Sequence, residues 1–190
     1  MSPRRPPEVP GPVLLDKTEI ARRVGELGEE INEHYRGERI EEITVVSVLK
    51  GGFIFLADLI RHLRVDLRLD FIAISSYHDA DDRTRGVRIL KDLSESIYRR
   101  HVLLVEDIID TGLTLSFIMR NLREREPADI RLCTLLDRSA RRIAPLELHY
   151  RGFEVGDEYL VGYGLDYRQF WRNLPSIHVL EDKQAVEAAS

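Results

Sequence analysis

Apolar positions along this chain switch between helical spacing and short continuous runs. Ile20, Val24, Leu27 and Ile31 recur at helical intervals. Asp16 and Glu19 precede them at the spacing of a capping box, so a helix is predicted from about residue 17. Residues 43–49 form a β-branched run that ends at Lys50-Gly51-Gly52, and the apolar segment 53–63 that follows reads as a helix. Residues 71–75 and 87–90 read as strands on either side of a polar loop, 77–85. Residues 102–105 are uninterrupted apolar, as in a strand buried on both faces. Residues 114–125 are helical in pattern, with Leu115, Ile118, Met119 and Leu122 as the buried stripe. Further strands are predicted at 130–136, 159–163 and 177–180. Strands alternating with helices predict an α/β fold with a largely parallel sheet flanked by helices.

Composition narrows the classes. The 190 residues are 43% hydrophobic and 32% charged, enough apolar side chains for one core. No apolar run approaches the roughly 20 residues that span a bilayer, and the N-terminus lacks a signal-peptide core, which points to a cytoplasmic protein with no membrane partner. The lone Cys133 permits no internal disulfide and no Cys-rich zinc site; within an apolar strand pattern it reads as a core thiol. A net charge of −5 argues against a protein that coats nucleic acid. Residues 1–12 hold five of the eight prolines and are expected to be a disordered leader. Residues 13–181 are expected to form a single domain, and 182–190 a frayed tail.

The chemistry concentrates where the buried strand meets Glu106-Asp107-Ile108-Ile109-Asp110-Thr111-Gly112-Leu113-Thr114. In open α/β sheets ligands bind beyond the carboxyl ends of the strands. A glycine-containing turn at a helix N-terminus offers backbone N–H groups and a favourable dipole to phosphate. Glu106 and Asp107 would repel phosphate unless a cation intervenes, yet they suit sugar hydroxyls. A ligand with sugar hydroxyls, a terminal phosphate and Mg²⁺ satisfies every group. The alternative is a plain N-cap cluster in which Asp110 or Thr111 caps the next helix.

The stretch from Glu106 to Gly112 resembles the phosphoribosyl-pyrophosphate (PRPP) motif of type I phosphoribosyltransferases, in wording the hypoxanthine-guanine branch. Val48-Leu49-Lys50-Gly51-Gly52, Ser75-Ser76-Tyr77 and Val161-Gly162-Tyr163-Gly164-Leu165-Asp166-Tyr167 resemble its other motifs in order, so the likeness covers residues 14 to 181. The resemblance implies the type I phosphoribosyltransferase fold, with a small hood built from the N- and C-terminal segments. It implies transfer of a phosphoribosyl group from PRPP to hypoxanthine or guanine, with Mg²⁺ as cofactor, in a homodimer or homotetramer.

Residue by residue, the resemblance gives Glu106 and Asp107 to the ribose hydroxyls and the metal, and Asp110 to the general base facing purine N7. It gives Thr111, Gly112, Leu113 and Thr114 to the 5′-phosphate, and Lys50, Gly51 and Arg172 to pyrophosphate. The Leu49–Lys50 bond is typically cis in this family. Ser76 and Tyr77 match a loop that closes over the reacting centre. Tyr159 matches an aromatic stacked on the purine, Leu160 a backbone contact to the base edge, and Asp166 a magnesium ligand near the base. Arg138 stands where the family usually carries a lysine for the 6-oxo group, and Leu113 where some relatives carry a lysine.

Other residues read more plainly. The six histidines show no metal spacing, although His78 lies beside Tyr77. Trp171 is expected to pack behind Arg172, and Arg141 and Arg142 to form a solvated turn. Two other functions fit the scaffold: an RNA-binding regulator, which needs a basic face, and a transferase for adenine, xanthine or orotate.

Overall fold

The computed structural model describes residues 10–78 and 85–181. Most of the expected leader, the tip of the 77–85 loop and the expected tail therefore lie outside the described residues. Helix α1, Lys17–Gly37, starts at the anticipated capping box. The Asp16 carboxylate accepts from the N–H groups of Thr18 (2.7 Å) and Glu19 (2.9 Å), and Glu19 Oε2 accepts from Asp16 N (3.0 Å). Its stripe Ile20, Val24, Leu27 and Ile31 is fully buried, and Tyr35 extends it.

The main sheet has six strands in the order β4-β3-β2-β5-β6-β7: β2 Glu42–Leu49, β3 Asp66–His78, β4 Arg85–Lys91, β5 His101–Ile109, β6 Asp129–Asp137 and β7 Tyr150–Glu154. The pairings of β2 with β3 and β5, of β5 with β6 and of β6 with β7 are all parallel; only the edge hairpin β3–β4 is antiparallel. Helices α1 and α2, Phe53–Leu59, cover one face, and α3, Leu113–Arg123, covers the other, so the two apolar clusters lie on opposite sides of the sheet. The single-turn helix Ile60–His62 replaces the last turn expected of α2.

The first and last described segments meet in a small sheet, in the order β1-β9-β8: β1 Val13–Leu15, β8 Leu160–Val161 and β9 Ile177–Val179. Pro12 O accepts from Val179 N (3.0 Å), so the end of the expected leader is already paired. The Tyr163 hydroxyl donates to Asp58 Oδ2 on α2 (2.7 Å) and ties this small sheet to the main body.

Four expectations change. The run predicted as a strand at 159–163 contributes only Leu160–Val161, because Gly162, Tyr163 and Gly164 all take positive φ. Strand β3 begins five residues earlier than expected, its alternating Leu67 and Leu69 having been hidden among charges. Strands β1 and β7 had no distinct pattern of their own. Arg142 is not in a solvated turn: its guanidinium pairs with Asp137, which is only 2% exposed and also meets Arg151 at 3.4 Å. Trp171 stacks on Tyr167 at 6.1 Å.

Opposite the strand carboxyl ends, His34 and His149 lie near Arg131. Burial first, then the Arg131 charge, holds both imidazoles below the ordinary 6.5. A depressed histidine pKa contributes stability that is intact above the unfolded value and lost as pH falls through the folded one. Between pH 7.5 and 5.5, the His34→Gln/His149→Gln protein is expected to lose less thermal stability than the wild type. An equal loss in both, measured by differential scanning calorimetry, contradicts this.

Candidate active site

The parallel sheet delivers its polar groups to one edge. Val102 to Val105 are fully buried, and β5 continues through Glu106 and Asp107, so these carboxylates sit on the strand itself rather than beyond it. Asp110 and Thr111 make the turn into α3. The N-cap alternative fails here: Gly112 holds the N-cap position in the left-handed region (φ 77°), and no side chain caps the helix. Thr111 Oγ1 reaches Leu113 N only at 3.5 Å. The α3 N-terminus, from Gly112 through Leu113 and Thr114, is left open as an anion cradle.

Three separate stretches meet at Asp107. The Leu49–Lys50 bond at the end of β2 is cis, as the resemblance implies. A Cβ on Gly51 would lie 1.5 Å from Asp107 Oδ2, so only glycine fits there. On the other side, a Cβ on Gly164 would lie 2.1 Å from Gly51 O, which brings the 162–172 segment against the same loop. In that segment Arg172 Nη2 pairs with Asp166 Oδ1 (2.6 Å), and Arg172 Nη1 donates to Gly164 O (2.7 Å). Asp166 Oδ2 accepts from Gln169 N (2.7 Å), while Gln169 Oε1 accepts from Lys50 Nζ (3.5 Å) and from Arg172 Nη2 (3.3 Å). The two expected pyrophosphate cations, Lys50 and Arg172, thus share one neutral acceptor.

The carboxylates differ in setting. Burial, with Asp107 alongside, pushes Glu106 well above its usual range, and its Oε2 is buried with no partner among the described residues. Burial also raises Asp107, to about 6; the Ile108 N–H (2.8 Å) and Arg172 oppose the rise and Asp166 adds to it. Glu106, Asp107 and Asp166 do not close into a cation cage. Among the described residues no three histidine, cysteine or acidic side chains gather to hold a metal, and Asp166 has both oxygens engaged.

Asp110 faces a different set. Arg138, nine-tenths buried, directs Nη1 to Asp110 Oδ2 (3.4 Å) and Nη2 to the Glu158 carbonyl, and its buried Nε has no partner among the described residues. Arg141 is exposed, as expected, and its Nε lies 3.1 Å from Asp110 Oδ1 as an ion pair without hydrogen-bond alignment. The Tyr159 hydroxyl donates to Asp166 O (3.1 Å), with its ring edge-on to Tyr167. Leu160 buries its side chain in the core while its backbone pairs in β8. Ser76 and Tyr77 lie on β3, opposite Val87 and Gly86 of β4. The sequence reading missed Gln169 and Arg141; the only signal for Arg141 was its place three residues after Arg138.

A family model described as "Phosphoribosyl transferase domain" matches residues 13–168. The chain belongs to the phosphoribosyl transferase family. It is 43% identical over 162 residues to the hypoxanthine phosphoribosyltransferase of Haemophilus influenzae, covering 85% of this chain and 90% of that protein. It is 41% identical to the hypoxanthine-guanine phosphoribosyltransferase of Mycobacterium avium, covering 96% and 94%. Among solved structures, a hypoxanthine phosphoribosyltransferase of Trypanosoma cruzi superposes with a TM-score of 0.88 at 35% identity, covering 97% of this chain and 98% of that one. A hypoxanthine-guanine phosphoribosyltransferase of Bacillus anthracis gives 0.84 at 42% identity, covering 90% and 99%.

Carboxylates whose folded pKa is raised stabilise fully below their unfolded value, and that contribution is lost as pH rises through the folded one, near 6 for Asp107. At pH 7.5 Glu106 and Asp107 therefore lower the stability of the fold. Glu106→Gln/Asp107→Asn is expected to be more stable than wild type by about 1–3 kcal/mol at pH 7.5 and by less at pH 5. Urea titration checks it, and a double variant less stable at pH 7.5 contradicts it.

Proposed function

We propose that the protein transfers the 5-phosphoribosyl group of PRPP to hypoxanthine or guanine, giving IMP or GMP and pyrophosphate in purine salvage. The observation that carries this reading is the pairing of two facing sites at one sheet edge. One is the open α3 N-terminus beside Glu106 and Asp107; the other is Asp110 held against Arg138. The names of the relatives support the same substrates.

The 5′-phosphate of PRPP docks on the N–H groups of residues 111–114, where the helix dipole favours its charge. Asp107 accepts from the ribose hydroxyls, and the diphosphate lies along Lys50, Gly51 and Arg172. A purine nitrogen forms the new bond to C1 as the C1–oxygen bond to pyrophosphate breaks, and the electron pair leaves with pyrophosphate. Asp110 takes the proton from N7 of the base. Between them these residues fix the alignment of two substrates, which is the larger part of the work in such a displacement.

The donor set fits Mg²⁺. Glu106 Oε2 is a buried acceptor with no donor among the described residues, and Asp107, next in the strand, lies near Asp166. A cation held by one or two carboxylates, water and substrate oxygens needs no closed protein cage. Glu106, Asp107 and Asp166 would hold it, and it would neutralise the leaving diphosphate.

Arg138 reads the base. A guanidinium carries only donors, so it matches the 6-oxo group of hypoxanthine or guanine and mismatches the amino group of adenine. Tyr159 stacks on the ring, and backbone groups near Leu160 and Asp166 meet the 2-position. The loop of Ser76 and Tyr77 closes over the centre and excludes water. Residues 13–181 act as one domain with the β1-β9-β8 sheet as a hood, and the protein works in the cytoplasm as a homodimer or homotetramer. No described helix is long and apolar enough to cross a membrane.

Incubation with PRPP, Mg²⁺ and each purine base, with chromatography of the products, is expected to give IMP and GMP. Formation of AMP alone, or of no nucleotide, overturns the reading. Asp110→Asn is expected to fold normally and to lose roughly 10²- to 10⁴-fold in kcat. For the base, Arg138→Lys is expected to keep 6-oxopurine use, and Arg138→Ala to lose roughly 10²-fold or more in kcat/KM for hypoxanthine. A neutral alanine variant would remove Arg138 from the base site.

A further inference from the structure

We infer that Arg141 is a positioning residue that holds the Asp110 carboxylate in its working orientation. The inference rests on the reading of Asp110 as the proton acceptor. Asp110 follows the last residue of β5 and has no neighbour in the strand ladder to fix its side chain. The segment from Arg138 to Ala144 is fastened on both sides of it. Arg138 N donates to Ile109 O (2.9 Å), while Ile143 N (2.9 Å) and Ala144 N (3.1 Å) donate to Thr111 O. Between these anchors the chain makes a single-turn helix, Ser139–Arg141, closed by Arg141 N to Arg138 O (2.9 Å) and fastened by the Ser139 hydroxyl to Glu154. The backbone that carries Arg141 is therefore tied to the residues immediately before and after Asp110.

The side chains complete the arrangement. Arg138 approaches Oδ2 at 3.4 Å and Arg141 approaches Oδ1 at 3.1 Å, so each carboxylate oxygen faces its own guanidinium. The Arg141 contact is an ion pair without hydrogen-bond alignment, Oδ1 having no hydrogen-bond partner among the described residues, so its charge draws Oδ1 toward the 139–141 turn while Arg138 donates to Oδ2. Arg141 also lies 4.0 Å from Asp157, which is too exposed to hold it firmly. Arg141 is 44% exposed, so its loss opens no buried cavity and leaves no buried charge unpaired. Its effect should appear in turnover rather than in stability. A misdirected acceptor slows proton transfer from the bound base while base and PRPP still bind.

The test is a double-mutant cycle at saturating Mg-PRPP. Arg141→Met keeps the stem and removes the charge; Arg141→Lys keeps a charge at shorter reach. Arg141→Met is expected to lower kcat for hypoxanthine about tenfold, with KM for the base and the melting temperature little changed, and Arg141→Lys is expected to recover part of the loss. In an Asp110→Asn background the same methionine substitution is expected to change kcat less than twofold. An undiminished kcat in Arg141→Met, or an equal loss in both backgrounds, overturns the positioning role. Wild-type turnover in Asp110→Asn alone overturns the reading of Asp110 as proton acceptor, which separates the two failures.

Discussion

The backbone of Gly51 lies so close to the carboxylate of Asp107 that a methyl group at that position would overlap it. That approach is possible only because β2 and β5 are parallel neighbours in register, Ser47 opposite Val105, so that both chains leave the sheet at the same level. The two loops then meet, and the peptide of Gly51 is further covered by Gly164. Lys50, Asp107, Asp166 and Arg172 come from three stretches of sequence but share one small volume because of this contact. A displacement of one loop by the width of a side chain would part the cations from the carboxylates, and alignment to well under that distance is what a two-substrate displacement demands.

The same volume holds charges at odds with their surroundings. Glu106 and Asp107 are half-buried, consecutive on β5 and short of donors, whereas Lys50 and Arg172 share the amide oxygen of Gln169. Each side lacks what the ligand carries: a cation and hydroxyl donors for the carboxylates, anionic oxygens for the two cations. A ligand that carries both would be held by groups that have few partners within the protein itself. The apolar strand 102–105, buried on both faces, supplies the rigidity that keeps such a site from relaxing.

Much of this was legible in the chain. The α1 capping box, the continuous apolar run of β5 and the stripe of α3 each follow a local rule, and each stands where the pattern put it. The carboxylates and the glycine turn were legible because their residue types conflict unless a ligand resolves them. Strand β7 was not, since Tyr150–Glu154 gains its strand character only by pairing with β6 at the sheet edge. Local pattern also misled at 159–163, where a β-like sequence is broken by a run of positive φ that fits 162–164 against Gly51. The partners of Arg141 and Arg142 were hidden because nothing in their neighbourhood reveals that the backbone returns to Ile109 and Thr111. Partners distant in sequence are what patterning leaves out.

The arginine at position 138 is best understood through what its planar fork joins. One arm reaches Asp110, the other reaches the carbonyl of Glu158, and Tyr159 and Leu160 follow directly. An ammonium is a point charge and could serve the carboxylate or the carbonyl, but it imposes no angle between them. The guanidinium links Asp110 to the segment that leads into Tyr159 and Leu160 through one rigid plane, with Arg141 at the other carboxylate oxygen. Its buried Nε, with no partner among the described residues, remains a donor turned inward. On the proposed reading, base selection and proton transfer share this one side chain, and an arginine in place of lysine ties them at a fixed angle.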